Sequence, residues 1–106
     1  MYKLNDISVI INQLDDVAIM LYQQKSTEAY KRFSNIITIL SEIVTELFEL
    51  KRTDNMLQFN ENLLLDRLVS AVKALEAKDD ILLADILYYD IIPQLQNIKG
   101  YFVDQK

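Results

Sequence analysis

Apolar residues recur along most of the chain at intervals of three and four positions, which is the spacing of one face of an α-helix. The pattern predicts four helices. The first, second and fourth cover about residues 6–24, 26–51 and 80–99, and the third begins between Met56 and Asn60 and ends near Lys78. Each helix has one apolar stripe suited to a buried core. The stripes consist of Ile7, Ile10, Ile11, Leu14, Val17, Ala18 and Leu21; Ala29, Tyr30, Phe33, Ile36, Ile37, Leu40, Ile43, Val44, Leu47 and Phe48; Leu57, Leu64, Leu68, Ala71, Val72 and Leu75; and Leu83, Ala84, Leu87, Ile91, Leu95 and Ile98.

Short polar side chains stand where the helices are expected to begin. Asn5 or Asp6 is placed to cap the first helix. Ser26 or Thr27 is placed to cap the second, and Asp79 the fourth. A side-chain oxygen at such a position accepts a hydrogen bond from the free N–H groups of the first helical turn. Residue type therefore supports the boundaries that the periodicity predicts.

Two residues disturb the fourth helix. Pro93 lacks an N–H group and crowds the carbonyl of Tyr89, so we expect a kink near 89–93 or a break followed by a short final helix. Gly100 is expected to end the helix, because glycine adopts the left-handed conformation without a side-chain clash. The apolar residues 101–103 are then expected to fold back onto the end of the bundle.

The connections between helices determine the expected architecture. The links between helices 1 and 2 and between helices 3 and 4 are short, which favours antiparallel neighbours. Four amphipathic helices with one stripe each can bury those stripes together only around a common core. The sequence therefore predicts an all-α, up-and-down antiparallel four-helix bundle as a single domain over residues 1–106.

Composition agrees with this fold and limits the cellular compartment and the partners that we expect. The chain has one Gly and one Pro, as long helices require, and no Cys. The absence of Cys and of an apolar leader in residues 1–6 favours a cytoplasmic protein. No apolar run reaches the length of a membrane span. The net charge of −5 disfavours binding to nucleic acid or to an anionic membrane surface.

The usual residues of catalysis and metal binding are scarce. Without His or Cys, the common general base, the Ser–His pair and most metal sites are excluded. The remaining acids come in pairs: Asp15 with Asp16, Asp79 with Asp80, and Asp85 with Asp90. Adjacent helical residues point about 100° apart, so the carboxylates of Asp15 and Asp16, and those of Asp79 and Asp80, do not converge on one atom. We therefore expect no enzyme activity, no cofactor and no metal.

Individual polar residues are interpreted structurally. Asp90 borders the core stripe and is expected to form a salt bridge or hydrogen bond. Glu61 lies near the start of the third helix, where the helix dipole favours an acid. The ladder of Glu42, Glu46 and Glu49 marks a solvated face of the second helix.

Six tyrosines are the other notable feature. Tyr22 and Tyr30 flank the first turn and are expected to close that end of the core. Because tyrosine combines an apolar ring with a polar tip, a tyrosine-lined pocket is also possible. A bundle that binds a small molecule between its helices is thus the alternative function.

A second apolar stripe on the fourth helix is the sharpest functional signal. At 100° per residue, one set of apolar residues lies about 140–180° from the core stripe. This candidate partner interface consists of Leu82, Ile86, Tyr89 and Pro93. Weaker additions are Val9 with Met20, and Phe59 with Leu63. Two explanations account for this second stripe. It is either an interface, in the simplest case that of a two-fold homodimer through helix 4, or a surface that another segment of the same chain covers.

Two resemblances accompany these patterns. Residues 74–93, with the turn Lys78-Asp79 and the sequence Leu83-Ala84-Asp85 before Pro93, resemble the C-terminal hairpin of small uncharacterised bundle proteins from Gram-positive bacteria. That resemblance implies a helical bundle in the bacterial cytosol.

The second resemblance is to the flagellin-specific export chaperones. Residues 19–22, Ile-Met-Leu-Tyr, and residues 29–43 are similar in rhythm to the early helices of that family, which wraps a disordered partner. The chain departs from the family in lacking its residues before the Met-Leu-Tyr match and the small-residue stretch after it. The sequence as a whole predicts a non-catalytic protein–protein interaction module: an adaptor, a chaperone or an assembly subunit.

Overall fold

The computed structural model describes residues 4–104, which fold into four helices joined by short connections and contain no strand. The helices span, in chain order, Leu4–Tyr22 (α1), Ser26–Thr53 (α2), Glu61–Glu76 (α3) and, as one continuous α4, Asp80–Asp85, the π-helical segment Ile86–Ile91 and Ile92–Asp104. The compact all-α fold is confirmed and is consistent with a four-helix bundle.

Most of the predicted stripes form the core. Every predicted core residue of α1 and α4 is buried, and most of those of α2 are buried. The third helix differs: Leu64 and Ala71 are buried, Leu68 and Leu75 are half-buried, and Val72 is exposed. One side of α3 is therefore less well covered than its periodicity predicts.

Pro93 widens α4 and does not break it. The proline has no N–H group, and its ring crowds the carbonyl of Tyr89. In the preceding π-helical segment each hydrogen bond reaches five residues back, as from the Ile92 N–H to the Leu87 carbonyl. The disturbance expected before Pro93 is thus a single wide turn.

The turns between α1 and α2 and between α3 and α4 have the same geometry. Gln24 and Lys78 adopt the left-handed conformation, with φ of 64° and 55°. The residue after each donates its N–H to a carbonyl five positions back, from Lys25 to Met20 in the first turn. Both are Schellman-type helix ends, which satisfy carbonyls that the helix leaves free.

The predicted cap of α4 is confirmed, and the predicted cap of α2 is wrong. Asp79 accepts a hydrogen bond from the Leu82 N–H at 3.2 Å and caps α4 as expected. Ser26 is the first residue of α2 and caps nothing, since the residue before it is Lys25 and no side chain caps that end. Asn5 lies inside α1, which begins at Leu4.

Polar contacts at the two ends of the bundle define the up-and-down topology. At one end the Ser26 and Tyr30 hydroxyls, beside the first turn, both donate to Asp80 at the start of α4. At the other end the Tyr101 hydroxyl donates to Asp54 in the connection after α2. The first and third turns therefore share one end, and successive helices are antiparallel.

Gly100 does not end α4. The helix continues to Asp104, and Gly100 has no positive φ. Tyr101 and Phe102 extend the helix and pack half-buried against the core, so they do not fold back. The side chain of Val103 lies outside the described residues. Packing of these aromatic rings offsets the conformational cost of a glycine inside a helix.

Replacing Gly100 with Ala is expected to raise the free energy of unfolding by about 0.5–1 kcal/mol, because alanine loses less backbone entropy on folding. A Cβ atom added at Gly100 meets no atom within 4 Å, so no clash opposes the gain. Denaturant unfolding followed by circular dichroism measures the difference. A loss of stability in Gly100→Ala would show that the residue is not helical.

Candidate interaction surfaces

Three sides of the bundle are closely packed and one is not. α1 packs against α2 and against α4, and α3 packs against α4. α2 and α3, the remaining neighbours, have no comparably close packing along their described residues. A gap between two amphipathic helices leaves part of each apolar stripe accessible to solvent.

This gap is an apolar groove, termed the α2/α3 groove, with a volume of about 440 Å³. Its α3 wall includes Leu65 and Val69, which are 50% and 46% exposed. The residues that line it are Ile37, Ser41, Val44, Thr45 and Phe48 of α2 and Leu65, Leu68, Val69, Val72, Lys73 and Glu76 of α3. Most of these side chains are apolar, and the one acid and one base lie toward the C-terminal end of α3.

One end of the groove is closed by the connection between α2 and α3. Phe59 stacks on Phe48, with ring centroids 5.8 Å apart. Lys51 lies over the Phe59 ring at 4.9 Å and donates to the Phe59 carbonyl. Phe59, expected as a surface apolar residue, is thus half-buried and anchors this connection.

Leu65 and Val69 were not among the residues predicted for function, although the sequence contains a signal for them. With Leu68 and Val72 they occupy positions i, i+3, i+4 and i+7, which is a complete helical stripe. The stripe is displaced from that of Leu64 and Ala71, so α3 has a broad apolar surface, of which the core covers one part.

The predicted interface on the fourth helix is only partly exposed. Leu82 and Tyr89 are 48% and 66% exposed, and Pro93 is exposed as well. Ile86 is 4% exposed and belongs to the core, which corrects its expected outward position. The expectation assumed 100° per residue throughout, whereas the π-helical turn holds one more residue and rotates Ile86 inward.

The same wide turn creates a second cavity, between α1 and α4. Tyr88 and Tyr89 both point outward, with ring centroids 4.9 Å apart and ring planes at 89°. The cavity, termed the tyrosine pocket, has a volume of about 430 Å³. It is lined by Ile11, Asn12, Asp15, Tyr88, Tyr89, Ile92, Pro93 and Gln96.

The other tyrosines of the described chain act mainly as hydrogen-bond donors to aspartates. The Tyr22 hydroxyl donates to Asp85 at 2.5 Å, and Tyr30 donates to Asp80. The bond to the Asp85 carboxylate stabilises the protonated phenol and raises the pKa of Tyr22 to about 12. These bonds join α1 and α2 to α4. Tyr2 lies outside the described residues.

Asp90 and Glu61, two further acids interpreted from the sequence, occupy the structural positions that the sequence predicts. Asp90 forms a 3.5 Å ion pair with Arg67 of α3, as its place at the core border predicts. Glu61 is the first residue of α3. Within residues 4–104 no three acids come together in a group able to hold a metal ion. In the same range, no helix combines the length and the apolar character that a membrane span requires.

Val9 and Leu63, named with the second stripe, are exposed, and Met20 is half-buried. Val9 lies on α1, away from the lining of both cavities. Because Ile86 faces the core, these residues and the exposed residues of helix 4 do not form one continuous apolar patch.

The fold and the two cavities define a small α-helical bundle with accessible apolar surface between its helices. The chain belongs to the family described as a domain of unknown function, DUF8042, whose profile matches residues 4–101. This range contains α1, α2 and α3 and most of α4. No curated protein and no solved structure matches the chain significantly.

Substitution of Ile86 by Glu is expected to abolish cooperative unfolding or to lower the free energy of unfolding by several kcal/mol, because an ionised carboxylate is buried without a partner. Leu82→Glu, on the exposed face of the same helix, is the matched control and should cost under about 0.5 kcal/mol. Urea titration followed by circular dichroism compares them. Equal losses would contradict the burial of Ile86.

The Tyr22–Asp85 hydrogen bond predicts how the stability of the fold changes at alkaline pH. Because the pKa of Tyr22 rises from 10.0 to about 12, the bond stabilises the fold fully below pH 10. That contribution is lost as the pH rises through about 12. Subtracting the phenolate absorbance of Tyr22→Phe from that of the wild type gives the titration curve of Tyr22 alone. In Asp85→Asn the Tyr22 titration should move back toward pH 10, and an unchanged titration would contradict the bond.

Proposed function

We propose that this protein is a non-catalytic interaction module that binds an amphipathic helix of a partner protein in the α2/α3 groove. The observation that carries the proposal is the exposed apolar stripe of Leu65, Val69 and Val72 facing the apolar side of α2. A bundle that served only its own stability would gain by closing this side, since each buried apolar side chain contributes about 1.5–3 kcal/mol.

The shape of the groove favours a helix as the occupant. Its α3 wall runs from Leu65 to Glu76, about three helical turns or ~17 Å at 1.5 Å per residue. Both walls are helices, so a third helix lying between them meets side chains at i, i+3, i+4 and i+7 spacing. Such an occupant would complete the packing that α2 and α3 do not make with each other.

Charge favours a partner helix with basic flanks. The chain has a net charge of −5, and its potential attracts cationic partners and raises their association rate. The apolar lining supplies the affinity, while the net negative charge of the chain raises the association rate of a basic helix. Binding should therefore weaken as the salt concentration rises, although it should not disappear.

Three further points belong to the same proposal. We place the protein in the bacterial cytoplasm, on the resemblance of residues 74–93 and on the absence of Cys. We assign it no catalytic role, because Asp80, Asp85 and Asp90 all accept hydrogen bonds from neighbouring helices. A second mode of interaction is self-association through the exposed residues Leu82, Tyr89 and Pro93. Ile86 takes no part in it, because its side chain is buried.

The alternative function, a bundle that binds a small molecule, is favoured by one observation. The tyrosine pocket has a volume of about 430 Å³ and combines aromatic, apolar and polar walls. Pockets for small ligands commonly have volumes of about 300–1,000 Å³ and a few placed polar groups.

Binding of a designed peptide tests the groove. The peptide has about 18 residues, with Leu at i, i+3, i+4 and i+7 positions and Lys on the flanks; a scrambled peptide of the same composition is the comparison. Fluorescence anisotropy should show at least about tenfold tighter binding of the helical peptide. Val69→Gln should weaken that binding by about five- to tenfold, since the glutamine buries less apolar surface.

Val9→Gln is the matched control, because Val9 is 53% exposed on α1 outside the groove, and it should leave binding unchanged. Equal binding of the scrambled peptide, or full binding by Val69→Gln, would reject the groove. Analytical ultracentrifugation runs alongside. A wild-type dimer that Val69→Gln converts to a folded monomer would show that the groove is occupied by a second copy, contrary to the proposal.

A further inference from the structure

The tyrosine pocket has two aromatic walls that the π-helical turn sets in place. Residues five apart stack in this segment, so the pairs Ile86–Leu87 and Ile91–Ile92 both face the core. Tyr88 and Tyr89, between the pairs, are both directed outward. Their perpendicular planes present ring faces in two directions.

The rest of the pocket comes from α1 and from the helix after Pro93. Ile11 and Ile92 are buried and form an apolar base. Asn12, Asp15 and Gln96 add polar groups at the sides. The cavity therefore combines apolar surface, aromatic faces and a carboxylate within one volume of about 430 Å³.

The charged and aromatic groups that line the tyrosine pocket all contribute negative potential. Among the described residues that line it, Asp15 is the one charged side chain, and it is half-buried. Asp15 takes part in none of the ion pairs formed within residues 4–104. The faces of the two tyrosine rings carry negative potential as well. A positively charged ligand is favoured by each of these groups, and an anion is opposed by Asp15.

The type of cation follows from the same walls. Ca²⁺ and Mg²⁺ require about six or more oxygen ligands or a firmly held water shell, and one carboxylate with two amides provides less. Aromatic faces favour large, weakly hydrated cations, above all quaternary ammonium and guanidinium groups. The apolar base formed by Ile11 and Ile92 suits the carbon atoms of such a group.

We infer that the tyrosine pocket binds an organic cation, an alkylammonium or guanidinium group, between the rings of Tyr88 and Tyr89 and the carboxylate of Asp15. The site is formed by helices other than the two that form the α2/α3 groove. It does not depend on whether a partner helix occupies that groove. It adds a ligand site to a protein otherwise proposed to act through a protein surface.

Titration with choline and with its neutral isostere 3,3-dimethylbutanol tests the inference. In ¹H–¹⁵N correlation spectra, choline should produce saturable shifts at the amides of Asp15, Tyr88 and Tyr89. The neutral isostere should bind at least about threefold more weakly, because it lacks the charge on which the rings and the carboxylate act. Equal binding of the two compounds would overturn the proposal, and so would the absence of a saturable shift with choline and with both guanidinium probes described below.

Variants assign the effect to the named groups. Asp15→Asn should weaken choline binding by about two- to fivefold, and Tyr89→Leu by a similar factor. Asp16→Asn removes the same charge at the next residue, which lies in a different surface depression beside Arg32, and should have no effect. If Asp16→Asn weakened binding as much as Asp15→Asn, the attraction would be a general effect of net charge and not a site.

The source of the cation is distinguished by a second pair of probes. Free agmatine and a capped alanine peptide with one central arginine carry the same guanidinium group. Tighter binding of agmatine points to a metabolite, and tighter binding of the peptide points to an arginine of a protein. Saturable binding of either probe that Asp15→Asn weakens supports the site. Failure of both, with choline, rejects it and leaves the α2/α3 groove proposal unaffected.

Discussion

The missing N–H group of Pro93 is the constraint on which the form of α4 depends. A helix meets such a gap by bending, by breaking or by changing its hydrogen-bond register. In this chain the register changes, and the turn before the proline holds an additional residue. The helix therefore continues to Asp104, about three more turns at 3.6 residues per turn, and keeps Ile91, Leu95 and Ile98 in the core.

This accommodation has opposite effects on the two faces of α4. On the inner face, the wide turn directs two adjacent pairs of apolar residues into the core, which accounts for the burial of Ile86 and Ile92. On the outer face it directs Tyr88 and Tyr89 into solvent beside Asp15 of α1. The tyrosine pocket thus results from the same backbone change that keeps the helix packed, and π-helical turns are often found at functional sites.

Hydrogen bonds from tyrosines and one serine to aspartates join the two helical hairpins near the ends of the bundle. Tyr22 and Tyr30 join the first hairpin to the start of α4, and Tyr101 joins the end of α4 to the α2–α3 connection. Because α2 and α3 pack loosely, these polar contacts restrict how far the hairpins separate.

The helices and most of the core could be predicted from the sequence, because both follow from a local period of 3.6 residues. The stripe from Ile7 to Leu21 and the cap at Asp79 required no knowledge of neighbouring helices. The distances between the helices and the place where the period changes depend instead on contacts between distant parts of the chain. The spacing of α2 and α3 depends on the volumes of side chains far apart in sequence. The partners of Tyr22 and Tyr101 lie 63 and 47 residues away. The inward turn of Ile86 depends on a register that the core selects, because burial of apolar surface favours the alternative at Pro93 that places Ile86 and Ile92 in the core.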